Sequence, residues 1–150
     1  MSSNGWQLFY YKVFKLALDD LEAIVTRLSV TDPVEYRKHP KAKLLASVYL
    51  AITKIVPMNP DAPDFRLGNS LGRGNANWRR VKSGMPERYR LFFRFSSNPV
   101  PLIVYVWFND DGSLRKAGAK TDVYETFKGM LASGRVPRSI EDLLSQSSPV

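Results

Sequence analysis

Apolar residues at Phe14, Leu18, Leu21, Val25 and Leu28 recur at alternating spacings of four and three, the buried stripe of an amphipathic helix. A short strand over Trp6–Tyr11 precedes it. Thr31-Asp32-Pro33 stops this helix and starts the next. Asp32 suits the N-cap, Pro33 the first helical position, and Glu35 completes a capping box. The second helix continues through Leu44, Leu45, Val48, Ile52 and Ile55, with Pro40 kinking it and Pro57 closing it. A connection this short predicts an antiparallel helical pair.

The period then changes from helical to alternating. Trp78–Phe95 (WRRVKSGMPERYRLFFRF) reads as two strands joined by a turn at Ser83, Gly84 and Pro86. Alternation puts Tyr89, Leu91, Phe93 and Phe95 on one face and Arg88, Arg90 and Arg94 on the other with Phe92. Trp78, Arg80 and Lys82 share a face of the preceding strand, with its side of the sheet left open. Val100–Phe108 is apolar on both faces, as a covered central strand would be. A turn at Asn109–Gly112 and a basic loop over Ser113–Lys120 follow. Asp122 and Glu125 form a second capping box, for a helix that buries Val123, Phe127, Met130 and Leu131 and stops at Gly134. Tyr124 falls off that stripe. The fold class expected is α+β, with a single domain over residues 1–137 and a short tail over 138–150 that makes a helical turn and fades into disorder.

Between the two halves lies Met58–Asn77, a Pro-, Gly- and Asn-rich loop long enough to suggest function. Its glycines at 68, 72 and 74 match neither a P-loop nor the dinucleotide pattern.

Charge narrows the chemistry. The net charge is +8, and residues 66–120 hold 11 basic and 3 acidic residues, so the entire excess lies in that one part of the chain. A concentrated excess marks a site for a polyanion. Arg grips phosphate bidentately and stacks on bases, whereas guanidiniums in a row repel each other and add nothing to folding. Exposed strands also carry Lys and Arg to block edge pairing, so the row alone is equally compatible with a solvated basic face. The chain has no cysteine, which removes disulfides and thiolate metal sites and fits a reducing compartment. Neither a secretion signal nor an apolar run of bilayer length is visible, so a soluble cytoplasmic protein with no membrane partner is expected.

Most catalytic constellations find no home. His39 is the only histidine and sits in the charged segment RKHPK, as an exposed imidazole would. The carboxylates Asp32, Glu35, Asp110, Asp111, Asp122 and Glu125 fall at caps and turns, leaving no paired-carboxylate or metal site. No Ser/His/Asp set appears. Arg, Lys and Tyr remain, and they suffice to cleave RNA without a metal or other cofactor. The ribose 2′-OH attacks the adjacent phosphate once a base takes its proton, cations stabilise the added charge, and an acid protonates the leaving 5′-oxygen. A Lys crowded by cations has its pKa lowered toward the range a base needs. Tyr124 would position the base or the phosphate, or simply be a rim residue of its helix.

A set of spaced blocks carries a resemblance. NGW at Asn4–Trp6, DPxxY at Asp32–Tyr36, NPxxPxFRxGxSLG at Asn59–Gly72, WxRVK at Trp78–Lys82, RYRLFFR at Arg88–Arg94, WxND at Trp107–Asp110 and LRxxGxKTDxY at Leu114–Tyr124 together resemble the YhaV family of type II toxins, within the RelE superfamily. The resemblance implies a RelE-like fold, an N-terminal helical pair packed on a small, mostly antiparallel sheet with a C-terminal helix. It also implies an mRNA endoribonuclease acting on or near the ribosome and inhibiting translation. Its partner would be an AbrB/SpoVT-like antitoxin, with operator DNA bound only by the toxin–antitoxin complex.

Residue roles carried over from the family are firmest at Arg90, in the strand where RelE-type toxins keep a catalytic arginine. Tyr124 falls where many keep a C-terminal tyrosine. Lys82 and Arg80 lie in the strand that supplies lysines, Lys82 being the base under this reading. Arg115 or Lys120 would be the last basic catalytic residue. Arg66, Arg79, Arg88, Arg94 and Lys116 would grip the RNA backbone. The rival readings are a degenerate toxin, binding RNA or the ribosome without turnover, and a DNA-binding repressor. The repressor lacks a helix-turn-helix, and its charge would lie on strands and loops.

Overall fold

The strand at Trp6–Tyr11 forms with the bounds expected for it, and the rest of the sheet is built outward from it and from the apolar strand near residue 105. The computed structural model describes residues 1–150. In chain order the elements are β1 (Ser2–Ser3), β2 (Trp6–Tyr11), α1 (Lys12–Thr31), α2 (Pro40–Leu50), α3 (Val56–Met58), β3 (Arg79–Val81), β4 (Leu91–Ser96), β5 (Leu102–Phe108), α4 (Val123–Ala132), α5 (Ile140–Ser145) and β6 (Ser147–Pro149). The fold is α+β. Its mixed sheet runs β1-β2-β5-β4-β3, with β6 paired to β2. β2 and β5 are parallel, and the other pairings are antiparallel.

β5 lies inside the sheet and is apolar on both faces because both are covered. On one face Ile103 and Tyr105 join Leu91 and Phe93 of β4 beneath Phe14, Leu18 and Leu21 of α1 and Leu44 and Val48 of α2. On the other, Val104 and Val106 join Phe92 beneath Phe127, Met130 and Leu131 of α4 and Leu143 of α5. The pairing shifts between Phe92↔Trp107 and Phe93↔Tyr105, so Val106 is an extra residue and the end of β5 is re-aimed there.

The second helix starts later than its capping signal. Asp32 Oδ1 does accept the Glu35 N–H at 3.2 Å, but this caps only a turn that leads into a short 3₁₀ segment at Tyr36–Lys38. Pro40 forces the residue before it out of the helical region, and His39 sits at φ −67°, ψ 138°. The helix therefore begins at Pro40 instead of being kinked by it. His39 is its N-cap, with Nδ1 accepting the Lys41 N–H at 3.1 Å. Pro57 does not close the helix cleanly either. Its missing N–H disturbs the preceding turn, and Ala51–Ile55 widens to a π-helix before α3 ends at Met58. Carbonyls of the widened turn find other donors: Ser3 Oγ–H to Thr53 O at 2.9 Å and Tyr105 Oη–H to Ile52 O at 2.7 Å.

Two further expectations are corrected. The strands around residue 85 are shorter than the alternation suggested, and residues 82–90 form successive turns, with Met85 N–H to Lys82 O at 3.3 Å and Tyr89 N–H to Pro86 O at 3.0 Å. The tail does not fade. Ser139 caps α5 by accepting the Asp142 N–H at 3.1 Å, Leu143 is fully buried, and β6 closes on β2 in the register Phe9↔Pro149 to Tyr11↔Ser147.

Candidate active site

Strand register decides which arginines can meet. Arg80 pairs with Phe92, which puts its side chain on the α4 side of the sheet, with Trp78 behind it and Arg90 and Arg94 along β4. Trp78, Arg80, Arg90 and Arg94 therefore face the same side of the sheet.

Below them lies an aromatic stack. Phe92 and Phe127 stack at 4.2 Å, Trp107 lies 5.8 Å from each, and Trp78 meets Phe127 edge-on at 5.1 Å. Tyr124 belongs to this stack, edge-on to Phe92 at 5.9 Å and only 6% exposed. It is therefore part of the buried face of α4, not off it. Packing fixes the ring and leaves only the hydroxyl at the polar boundary.

Two guanidiniums converge on that hydroxyl. Arg80 Nε–H donates to Tyr124 Oη at 3.0 Å and Arg90 Nε–H at 3.2 Å. Each is held from its far side as well, Arg80 by the Asp64 carbonyl at 2.6 Å and Arg90 by the Tyr89 carbonyl at 2.9 Å. A third guanidinium, that of Arg115, lies over the Tyr124 ring at 5.0 Å. With two hydrogen bonds accepted, the phenol keeps its own proton to donate to another group.

Two buried polar side chains hold this arrangement. Asp122, 2% exposed, is the N-cap of α4. One of its oxygens accepts from Arg115 Nη1 at 2.7 Å and the Lys116 N–H at 2.6 Å, and the other from the Tyr124 N–H at 3.0 Å. Burial alone would raise its pKa, but the hydrogen bonds from Arg115, Lys116 and Tyr124 together outweigh that and hold it below the ordinary carboxylate value. Asn109, fully buried, accepts the Arg90 N–H at 2.8 Å and donates to Ser113 O at 2.8 Å and Arg88 O at 3.2 Å. It joins the end of β5, the entry to β4 and the basic loop at one point. The pattern read Asp122 only as a helix cap and Asn109 only as a turn residue, and their links to Arg115 and Arg90 span elements that no local period connects.

The remaining sequence-predicted residues scatter. Lys82 is exposed just past β3, one residue beyond the last rung, Val81↔Leu91. Lys120 is exposed on the rim of a cleft of ≈ 470 Å³ that Arg115, Asp122 and Tyr124 also line. Lys116 is exposed beside Arg115 and tied to the site through its main-chain N–H. Arg88 does not extend the row. It takes φ +72°, and its Nε–H donates to Arg115 O at 3.1 Å while its own carbonyl accepts the Arg115 N–H at 2.9 Å. Arg94 lies farther along β4, over the Trp78 ring at 5.5 Å and donating to the Arg138 carbonyl. Burial lowers its pKa from the ordinary value, with Glu141 opposing and Arg79 adding to the effect. Arg79 faces the α1–α2 side of the sheet, over Phe95 at 5.6 Å and 3.3 Å from Asp61, which also lies 3.8 Å from the exposed Arg66. The structure thus brings together Arg80, Arg90, Arg115 and Tyr124, with Lys120 on the cleft beside them and Lys82 outside its lining. Arg79 and Arg66 stand apart.

Residues 8–148 match the YhaV toxin family, described as a toxin with endonuclease activity, of a toxin–antitoxin system. The chain belongs to the YhaV toxin family. Over 145 residues it is 42% identical to the ribonuclease toxin YhaV of Escherichia coli strain K12, covering 96% of this chain and 93% of that one. Toxin YhaV of Escherichia coli O6:H1 matches with the same identity and coverage. No solved structure matches the chain. As a YhaV-family member it is the toxin of a toxin–antitoxin pair, with an antitoxin for a partner. No helix is long and apolar enough to cross a membrane.

Proposed function

We propose that the chain is a metal-independent mRNA endoribonuclease whose reaction centre is the Tyr124 hydroxyl and the guanidiniums of Arg80 and Arg90. The observation that carries this reading is the convergence of both Nε–H groups on one phenol oxygen, at 3.0 and 3.2 Å. Neither arginine has a carboxylate among its hydrogen-bond partners, so both charges remain for a phosphate. Fixed guanidiniums stabilise the charge that develops on phosphorus without having to reorganise. The reaction is attack of the ribose 2′-oxygen on the adjacent phosphorus with departure of the 5′-oxygen, giving a 2′,3′-cyclic phosphate and a 5′-hydroxyl. Lys82 takes the 2′-OH proton. Tyr124 donates its free O–H to a phosphate oxygen, and Arg115 or Lys120 stabilises the leaving 5′-oxygen, Lys120 being the one of the two that can give it a proton. Asp122 and Glu125 are already paired, with Arg115 and Lys128, which supports a mechanism driven by cations in place of a metal.

Arg88, Arg94 and Lys116 extend the cationic surface along the RNA backbone. Arg79 and Arg66 contribute there only through the field of the sheet edge, since Asp61 faces both. The fold we assign is the RelE-like arrangement with a mostly antiparallel sheet, supported by the order of a strand, two helices, three antiparallel-paired strands and a helix. We place the protein in the cytoplasm, acting on mRNA on or near the ribosome. The basic face also suits an acidic segment of an AbrB/SpoVT-like antitoxin, and operator DNA is bound through that complex.

The test is induced expression of wild type and Arg90→Ala, with primer extension on cellular mRNA. New 5′ ends and growth arrest with wild type only are expected. Arrest without new ends would instead indicate a toxin that binds without cleaving.

A further inference from the structure

The cleft beside Tyr124 has a second wall that this chemistry leaves idle. It is made by the long loop before β3. Leu67 and Leu71 are buried in the aromatic side of the core at 6% and 2% exposure and pin the loop at two points. Gly68 and Gly72 take φ +58° and +77°, a region open to glycine at no steric cost. Between them the chain makes successive turns, with Ser70 N–H to Leu67 O at 3.1 Å and Gly72 N–H to Asn69 O at 3.0 Å. This anchoring holds Asn69 and Ser70 on the cleft wall facing Gly118–Lys120, while Arg115 and Tyr124 complete the lining. The Asn69 amide and the Ser70 hydroxyl enter none of the chain's own hydrogen bonds.

We propose that this cleft is a nucleobase subsite for single-stranded RNA, in which Asn69 and Ser70 read the edge of the base next to the scissile phosphate. The inference rests on the ribonuclease reading above and adds to it where sequence preference comes from. A phosphate only accepts hydrogen bonds, so an amide that presents a donor and an acceptor side by side is matched to a base edge instead. The cleft, at ≈ 470 Å³, falls within the range of small-molecule sites and admits a base with its ribose. Arg115 is among its lining residues, with one face of the guanidinium over the Tyr124 ring and the other a plane on which an unstacked base can pack. Lys120, which no carboxylate pairs, stands on the lining for a flanking phosphate. Because Tyr124 belongs both to the cleft and to the reaction centre, a base seated there is a neighbour of the bond that breaks. Discrimination follows from leaving the amide unpaired when the wrong base enters.

The experiment maps cut sites on a single-stranded RNA pool randomised in sequence, for wild type, Asn69→Ala, Ser70→Ala and Asn69→Asp. All three substitutions lie between the buried leucines and leave the anchors in place, and thermal melting checks that each variant is folded. Wild type should show a preference at one position flanking the cut. Either alanine should flatten it by about tenfold, the weight of one good base contact. Asn69→Asp, which exchanges a donor for an acceptor, should change the preferred base. If wild type cuts neither this pool nor the same RNA on ribosomes, the ribonuclease reading falls and takes the subsite with it. If wild type cuts with a preference that the folded variants retain unchanged, the subsite alone is overturned. Unchanged cut sites with weakened inhibition by antitoxin would also overturn it and make the cleft a protein contact.

Discussion

Removing one oxygen atom should disturb both arginines of the site. Tyr124→Phe keeps the ring against Phe92 but leaves the Nε–H groups of Arg80 and Arg90 without their acceptor. With Arg90 only 7% exposed, water replaces that acceptor poorly. The loss should be about 1–3 kcal/mol of stability, read by urea unfolding, with a fall in cleavage on the order of 100-fold. Arg90→Lys should rescue little, because an ammonium cannot reach the phenol, the Tyr89 carbonyl and a phosphate from one planar fork. Asp122 adds a pH dependence. Its pKa in the fold is lower than in the unfolded chain, so its contribution to stability is present above the ordinary carboxylate value and is lost as pH falls below about 4 toward the lowered one. Melting temperatures measured from pH 6 to pH 3 should fall less steeply for Asp122→Asn than for wild type, from a lower starting point. Equal slopes would show that Asp122 is not a source of the acid sensitivity.

At the scale of elements, period and capping signals were readable where local chemistry decides and misleading where tertiary partners do. The α1 stripe and the α4 stripe appear in the structure because burial of one helical face is a local pattern, and Phe14, Leu18, Leu21, Phe127 and Met130 are all buried. The second helix starts at Pro40 and not at Pro33 because the Asp32 signal is satisfied by a turn, while the restriction that Pro40 places on His39 decides where the helix starts. Alternation puts Arg88 in a row of arginines, yet its φ is positive and its carbonyl accepts from Asn109, 21 residues away in sequence. Tyr124 falls off the α4 stripe because a line through Val123, Phe127 and Met130 is narrower than the apolar surface that Phe92 presents to α4. The tail holds for the same reason: Ile140, Leu143 and Leu144 make only a single apolar turn, too short to show a period, and Leu143 is buried by tertiary packing. Leu143→Ala should therefore cost about 2–5 kcal/mol in urea unfolding, as a core leucine does, where a frayed end would cost almost nothing.

For the whole molecule, the net charge of +8 is drawn entirely from residues 66–120, and within that span Arg80, Arg90, Arg115 and Lys120 lie at the site while Arg66 and Arg79 face Asp61 away from it. Such a field speeds the encounter with RNA and makes affinity depend on salt. Each phosphate contact on a single strand adds about −0.7 to the slope of log affinity against log salt. Arg94→Ala should make that slope shallower by about one contact, whereas Arg66→Ala, beside Asp61 and away from Tyr124, should leave it nearly unchanged. Affinity measured by fluorescence anisotropy at three salt concentrations separates the two cases, and equal changes would put the RNA path on the wrong side of β3.

The reaction centre itself is tested most directly by purified protein on one defined single-stranded RNA, in EDTA, under single-turnover conditions, comparing wild type with Arg90→Ala. Wild type should cut and leave 2′,3′-cyclic phosphate ends despite the chelator. Arg90→Ala should be slower by about 100-fold or more while its melting curve still shows a folded protein. A folded Arg90→Ala that cuts as fast as wild type would contradict the account at its centre.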